Sequence, residues 1–226
     1  HVIDDNGLSF STEKREEVLD FPMPQTHREM KQFLGLVNYF REHVKNHSTV
    51  VQPLQDMVRD YKKSKPLTWS PDLIQIFNEV KSTVGNCPSL FFIDETLPIY
   101  LHTDASDYGM GGYLFQKPLD KTSELDEKPI AFISKSFTKE RLRWSVPEKE
   151  AYEIFYSFQK LSHLLRDVYF ILRTDHKNLI YINQEGSPKV RRWKLAIQPP
   201  AQIESVRKRH VSDGVLKEAI HFVEHT

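Results

Sequence analysis

The sequence predicts a mixed α/β domain preceded by a small helical module. Three observations carry this. Residues 1–60 hold cap signals and apolar residues at helical spacing. Beyond Cys87-Pro88 the pattern changes to short runs of β-branched and aromatic residues. Among these runs sits one strongly amphipathic segment, residues 148–165, and strand, hairpin, helix, strand is a mixed α/β order.

The elements follow in chain order. STEKREEVLD (11–20) reads as a helix start, and FPMP (21–24) breaks it, because proline removes an N–H and restricts its neighbour. Thr26 and Glu29 form a T-x-x-E capping box. It opens a helix whose Met30, Phe33, Val37, Tyr39 and Phe40 make an apolar stripe. A short helix after Ser48 carries Val51, Leu54, Met57 and Val58. The polar run 59–66 reads as a linker, and Ser70-Pro71 starts a connecting helix with Leu73, Ile76, Phe77 and Val80 that ends near Gly85. LPIYLHTDAS (97–106), GGYLFQ (111–116) and PIAFISKS (129–136) read as strands. The helix at 148–165 aligns Ile154, Phe158, Leu161 and Leu165, and VYFILRT (168–174) reads as a buried strand.

Composition excludes several classes. With 39% hydrophobic and 27% charged residues, the chain has the material of a folded globular protein rather than a disordered one. Its apolar runs are too short to span a bilayer. A single cysteine, Cys87, leaves no disulfide framework or thiolate zinc site within one chain, which fits an intracellular protein. The opening HVIDDNGLSF shows no signal peptide and reads as part of a longer chain. Formal net charge is zero, yet residues 173–210 hold nine Lys/Arg against three Asp/Glu. Such a stretch either tracks a phosphate backbone or is a solvated face. Lys189, Arg191, Arg192 and Trp193, in KVRRWK, are its candidate contacts. Trp144 and Trp193 have two readings, stacking on nucleic acid or packing in the core.

Three acidic residues stand out by position. Asp104 and Asp175 each follow an apolar strand, and Glu150 lies in the first turn of the long helix. Strand ends in α/β sheets frame crevices, so two such strands as neighbours would set Asp104 beside Asp175, with Glu150 leaning over them. Clustered carboxylates raise one another's pKa, and a divalent cation removes that penalty. Oxygen-only ligation favours Mg²⁺ or Mn²⁺, and two such ions roughly 4 Å apart suit phosphodiester hydrolysis. Taken singly, Asp104 reads first as a turn former and Glu150 as a helix-start residue complementing the dipole, and spacing alone does not overturn that.

At these residues the chain resembles the Ty3/gypsy class of long-terminal-repeat retrotransposon reverse transcriptases. HVIDDNGLSFSTEKREEVLDFPMPQTHREMKQFLGLVNYFREHV is similar to the stretch after the polymerase palm that forms the thumb. WSPDLIQIFNEVKSTVGNCPSLFFIDETLPIYLHTDASDYGMGGYLFQ is similar to the connector and first ribonuclease H strands, and TDAS-D-x-G, EKE-A and RTDHK follow in the family's order. The likeness covers about residues 1–197.

The resemblance implies a ribonuclease H-like mixed five-stranded sheet with flanking helices after a small helical thumb module. It divides the chain into a thumb-like module (1–60), a connecting linker and helix (61–87) and a ribonuclease H-like domain with an atypical tail (88–226). It implies hydrolysis of the RNA strand of an RNA–DNA hybrid with two Mg²⁺ or Mn²⁺ ions. Asp104, Glu150 and Asp175 are the implied ligands, and Asp107 a turn former. The polymerase active site is expected in an upstream domain of the same polyprotein, and no membrane partner is implied. Where the family carries a Pro-Gly-Lys turn and an Asn-Val-Val-Ala-Asp motif, this chain has PPAQIESVRKRHVSDGVLKEAI. Asp213 is the candidate fourth carboxylate and His210 a candidate proton-transfer residue. The rival reading is a decayed or host-captured fold that binds nucleic acid or serves as a structural module.

Overall fold

The computed structural model describes residues 1–5, 7–59, 66–106, 108–165, 168–174, 188, 190 and 193, and the backbone of 201–205. The N-terminal part begins with strands β1 (Val2–Ile3) and β2 (Gly7–Ser9). Helices α1 (Thr12–Leu19), α2 (His27–Asn38), α3 (His47–Arg59) and α4 (Pro71–Gly85) follow, and then β3 (Leu90–Phe91). The expected caps form. Thr26 Oγ1 accepts from Glu29 N at 3.3 Å while Glu29 Oε2 accepts from Thr26 N at 3.1 Å, and Ser70 Oγ accepts from Leu73 N at 3.2 Å. Each satisfies N–H groups that the first helical turn leaves without partners.

The stripe of α2 buries Met30, Phe33, Val37 and Phe40 completely. Tyr39, expected on that stripe, is exposed, because it stands some 200° around the helix from Val37. Phe33 meets Phe77 of α4 with ring centroids 4.7 Å apart. One apolar core therefore runs from Phe10 to Cys87, and α4, expected as a connection, is part of it. The module is also not purely helical: β1, β2 and β3 form an antiparallel sheet in that order.

The second part is a five-stranded mixed sheet of β4 (Ile99–Ala105), β5 (Gly109–Gln116), β6 (Lys128–Ser136), β7 (Phe170–Thr174) and β8 (Ala201–Ser205). The order is β6-β5-β4-β7-β8. The pairs β4–β5 and β5–β6 are antiparallel, while β4–β7 and β7–β8 are parallel. A parallel neighbour requires a crossover, which α5 (Val146–Lys160) and the short α6 (Ser162–Leu165) lie within. Strand β8 falls in the segment expected to be an atypical tail and completes the sheet. Its sequence, AQIES, has a single large apolar residue, too weak a pattern to mark a strand locally.

The main core lies between the sheet and α5, with Leu101, Leu114, Ile154, Leu161, Phe170 and Leu172. The opposite face carries Tyr100, Phe115 and Ile171. Helix α3 packs on that sheet as well: Ser48 N and Oγ both donate to Ser134 Oγ at 3.0 Å, and Ser136 Oγ donates to Gln52 at 2.9 Å. No helix among the described residues is long and apolar enough to cross a membrane.

Candidate functional site

The central strand β4 delivers Asp104 near its C-terminal end, in register with Gly111 of β5. The parallel pairing of β4 with β7 ends at Thr103 opposite Thr174. The strand that holds Asp104 and the strand that precedes Asp175 in the chain are thus neighbours. Asp175 itself lies outside the described residues. Helix α5 crosses β4 and β5. It starts at Val146, earlier than expected, so Glu150 stands in its second turn rather than its first. The first-turn task falls to Glu148, whose Oε2 accepts from Ser145 N at 3.1 Å and Ser145 Oγ at 3.0 Å. That separates the two glutamates: Glu148 caps the helix, while Glu150 is 3% exposed and faces the protein.

A third carboxylate completes the cluster. Glu153, one turn after Glu150, is 0% exposed. Its Oε1 accepts from the backbone N–H of Asp104 at 2.7 Å and of Gly111 at 3.0 Å. Burial pushes its carboxyl well above the usual carboxylate range, the charge of Glu150 adds to this, and that of Asp104 adds less; the two N–H donors oppose the shift. Asp104 and Glu150 therefore each lie within electrostatic reach of Glu153.

Three acids crowded at a strand end fit a hard divalent cation, which offsets like-charge repulsion and takes oxygen donors. Asp104 and Glu150 would supply such donors. Among the described residues no three His, Cys, Asp or Glu side chains are arranged as a complete metal-ligand group. Glu153 Oε1 is held by the two backbone donors.

A basic cluster flanks α5. Lys135 Nζ lies 4.5 Å and Lys160 Nζ 5.9 Å from the centroid of the Tyr156 ring, and the Arg141 guanidinium lies 4.4 Å from that of Tyr152. Arg41, from the N-terminal part, donates to Ser134 O at 3.2 Å. Burial lowers the Lys135 pKa, and the charges of Arg141 and Lys160 lower it further. The ion pairs among the described residues involve none of these four cations.

Residues 94–199 match the family model of the RNase H-like domain found in reverse transcriptase. This chain carries a reverse-transcriptase RNase H-like domain. It is also 32% identical over 202 residues to the transposon Tf2-3 and Tf2-4 polyproteins of Schizosaccharomyces pombe (strain 972 / ATCC 24843), a match covering 87% of this chain. The chain spans 15% of the length of these transposon polyproteins. Its fold is similar to a foamy viral protease-reverse transcriptase in complex with an RNA/DNA hybrid, with a TM-score of 0.67 at 19% identity over 98% of this chain and 31% of that one. The same viral protein in complex with dsDNA gives 0.66 at 19% identity, over 91% and 43%.

In this RNase H-like domain the expected residues divide. Asp104 on β4 and Glu150 on α5 each lie within electrostatic reach of Glu153. Trp193, expected at the nucleic-acid surface, is 8% exposed and packs with Trp144 at 5.5 Å, Tyr152 at 5.2 Å and Phe155 at 6.1 Å. Its large apolar ring gains more in that aromatic core than in water, which removes it from the contact set. Trp144 is half-buried against the same cluster. Asp107, Asp175, Lys189, Arg191, Arg192, His210 and Asp213 lie outside the described residues. Sequence reasoning missed Glu153. The signal available was an acid three residues after Glu150 and directly before Ile154 of the apolar stripe.

Proposed function

We propose that this chain hydrolyses the RNA strand of an RNA–DNA hybrid as part of a longer retrotransposon polyprotein with an upstream polymerase domain. The observation that carries this is the placement of Asp104, at the end of the central strand, and the almost fully buried Glu150 of α5 around one buried carboxyl group, Glu153, which bonds the N–H of Asp104 and feels the charge of both acids. Burial beside Glu150 and Asp104 raises the free energy of the charged form of Glu153, and such placement is characteristic of sites that act on a charged reactant. The foamy viral neighbour in complex with an RNA/DNA hybrid supports the choice of substrate.

Two Mg²⁺ or Mn²⁺ ions, when bound, would polarise the attacking water and the leaving oxygen of the phosphodiester. Asp104, Glu150 and, in this proposal, Asp175 would hold them. Asp104 is fixed by strand pairing and Glu150 by a capped helix, so both carboxylates have little conformational freedom left to lose as the reaction proceeds. Lys135, Arg141, Lys160 and Arg41 supply a positive surface for a phosphate backbone, with Lys189, Arg191 and Arg192 proposed to extend it. Choice of RNA would rest on 2′-hydroxyl contacts and hybrid shape, not base sequence.

A non-enzymatic reading drew its support from the abnormal tail, but that segment supplies β8 and continues the sheet. The deciding experiment follows a labelled RNA–DNA hybrid with the full chain, with and without Mg²⁺. Metal-dependent cutting of the RNA strand that vanishes in Asp104→Asn is the expected result. An intact RNA strand at saturating Mg²⁺ would sink the proposal.

A further inference from the structure

Glu153 is a completely buried acid on the same helix face as Glu150, and its hydrogen bonds go to the main chain. Asp104 and Gly111 are register partners on adjacent antiparallel strands, and one oxygen of Glu153 accepts from both of their N–H groups. This is the row of the sheet from which Asp104 projects. Burying a carboxyl group is costly even when it is hydrogen-bonded, so stability of the hairpin alone is a poor reason to use one there.

We propose that Glu153 is a positioning residue that sets the distance between Asp104 and Glu150, an inference that rests on the function proposed above. Residues three apart on a helix share a face, so Glu150 and Glu153 move as one body with α5. The hydrogen bond from Asp104 N to Glu153 then ties that body to β4 at the very residue whose carboxylate must meet Glu150. The row is held from its other side too. A Cβ at Gly111 would overlap the side chain of Asn46, which sits in the left-handed region at φ 52°. With Asn46 packed against Gly111 and Glu153 bonded to its N–H, the end of the β4–β5 hairpin has little room to shift. Glu153 Oε1 is occupied by the two backbone donors and Oε2 is buried, so the residue acts through Asp104 and not on the reacting atoms.

The requirement is an accepting oxygen, not a negative charge, and this separates Glu153→Gln from Glu153→Met. Gln keeps the oxygen; Met keeps the length and volume and lacks it. Three measurements on the full chain decide the matter: Mn²⁺ affinity by titration calorimetry, steady-state cleavage of an RNA–DNA hybrid, and thermal unfolding. Loss of a group that orients ligands costs about 10–100-fold in metal affinity or activity. Glu153→Met is expected to lose about that much in both Mn²⁺ affinity and kcat, with KM for the hybrid changed by less than about 3-fold, because uniform substrate binding is untouched. Glu153→Gln is expected to restore both to within about 3-fold of the wild type, on the same reasoning. A Gln variant as weak as Met overturns the proposal, as does a Met variant equal to wild type. Failure of both the Met and an Ala variant to fold would mark Glu153 as a structural brace and also overturn it. A wild-type chain that binds Mn²⁺ with this ranking of variants but leaves the hybrid intact would sink the proposed function and leave the positioning role standing.

Discussion

Asp104 follows an apolar run, whereas Asp213 stands in a polar stretch next to a glycine and lies outside the described residues; the scaffold around Asp104 fixes it. Asp104 pairs with Gly111, its N–H is held by Glu153, and its strand is central in the sheet. Asp104→Asn is expected to abolish hybrid cleavage, at least about 100-fold, because misplacing charge by an ångström already costs that much. Asp213→Asn is expected to cost far less at saturating Mg²⁺; equal loss in the two variants would establish Asp213 as a ligand. His47 gives a prediction about stability. It is buried in the N-terminal part, with Nε2 3.3 Å from Val37 O, and burial lowers its pKa to about 4. The ordinary value is about 6.5, so between those pH values the unfolded chain takes up a proton that the folded chain does not. Stability therefore falls as pH drops from about 6.5 to about 4, and this contribution levels off below. Thermal unfolding across that window should show the slope, and His47→Asn should flatten it; an undiminished slope would assign it to other groups.

At the scale of elements, α5 does several jobs at once. Its N-terminus is capped through Ser145 and Glu148, its inner face carries Glu150, Glu153 and Ile154, and its flank carries Tyr156 and Lys160 beside Lys135 of β6. A helix can serve core, site and surface in this way because its 3.6-residue period separates three faces. Neutralising Lys135 and Lys160 together as Gln should weaken hybrid binding and reduce its salt slope by about one for each phosphate that is no longer neutralised. The paired change Arg191→Ala, Arg192→Ala tests the basic stretch in the same way. An unchanged slope in either pair would mean that those cations are merely solvated.

For the whole molecule, the two cores are joined by specific polar contacts rather than a bare linker. Ser48 and Gln52 of α3 bond to Ser134 and Ser136 of β6, Arg41 bonds to Ser134 O, and Asn46 fills the space above Gly111. Separating the cores would strip partners from Ser48, which is buried, and from the edge of the sheet that carries Asp104. The chain is therefore expected to unfold in one calorimetric transition. Two well-separated transitions would show that the cores are energetically independent. By the same coupling, Gly111→Val should disturb both the packing of Asn46 and the geometry at Asp104, reducing cleavage without touching a carboxylate.

The sequence by itself determined the helices and four of the five strands of the large sheet. Each is written locally: the T-x-x-E box before α2, the Ser-Pro start of α4, the apolar runs of β4, β6 and β7, and the stripe of α5. It also singled out Asp104 and Glu150, because acids placed beside apolar runs stand out without any knowledge of the fold. Only the tertiary structure decided that β4 and β7 are neighbours, that AQIES is a strand, that Trp193 belongs to the core, and that Glu153 anchors the backbone of Asp104. These depend on what lies across the fold, not along the chain. A weak strand forms because β7 offers it partners, and an acid is tolerated in the interior because two N–H groups from neighbouring strands meet it there.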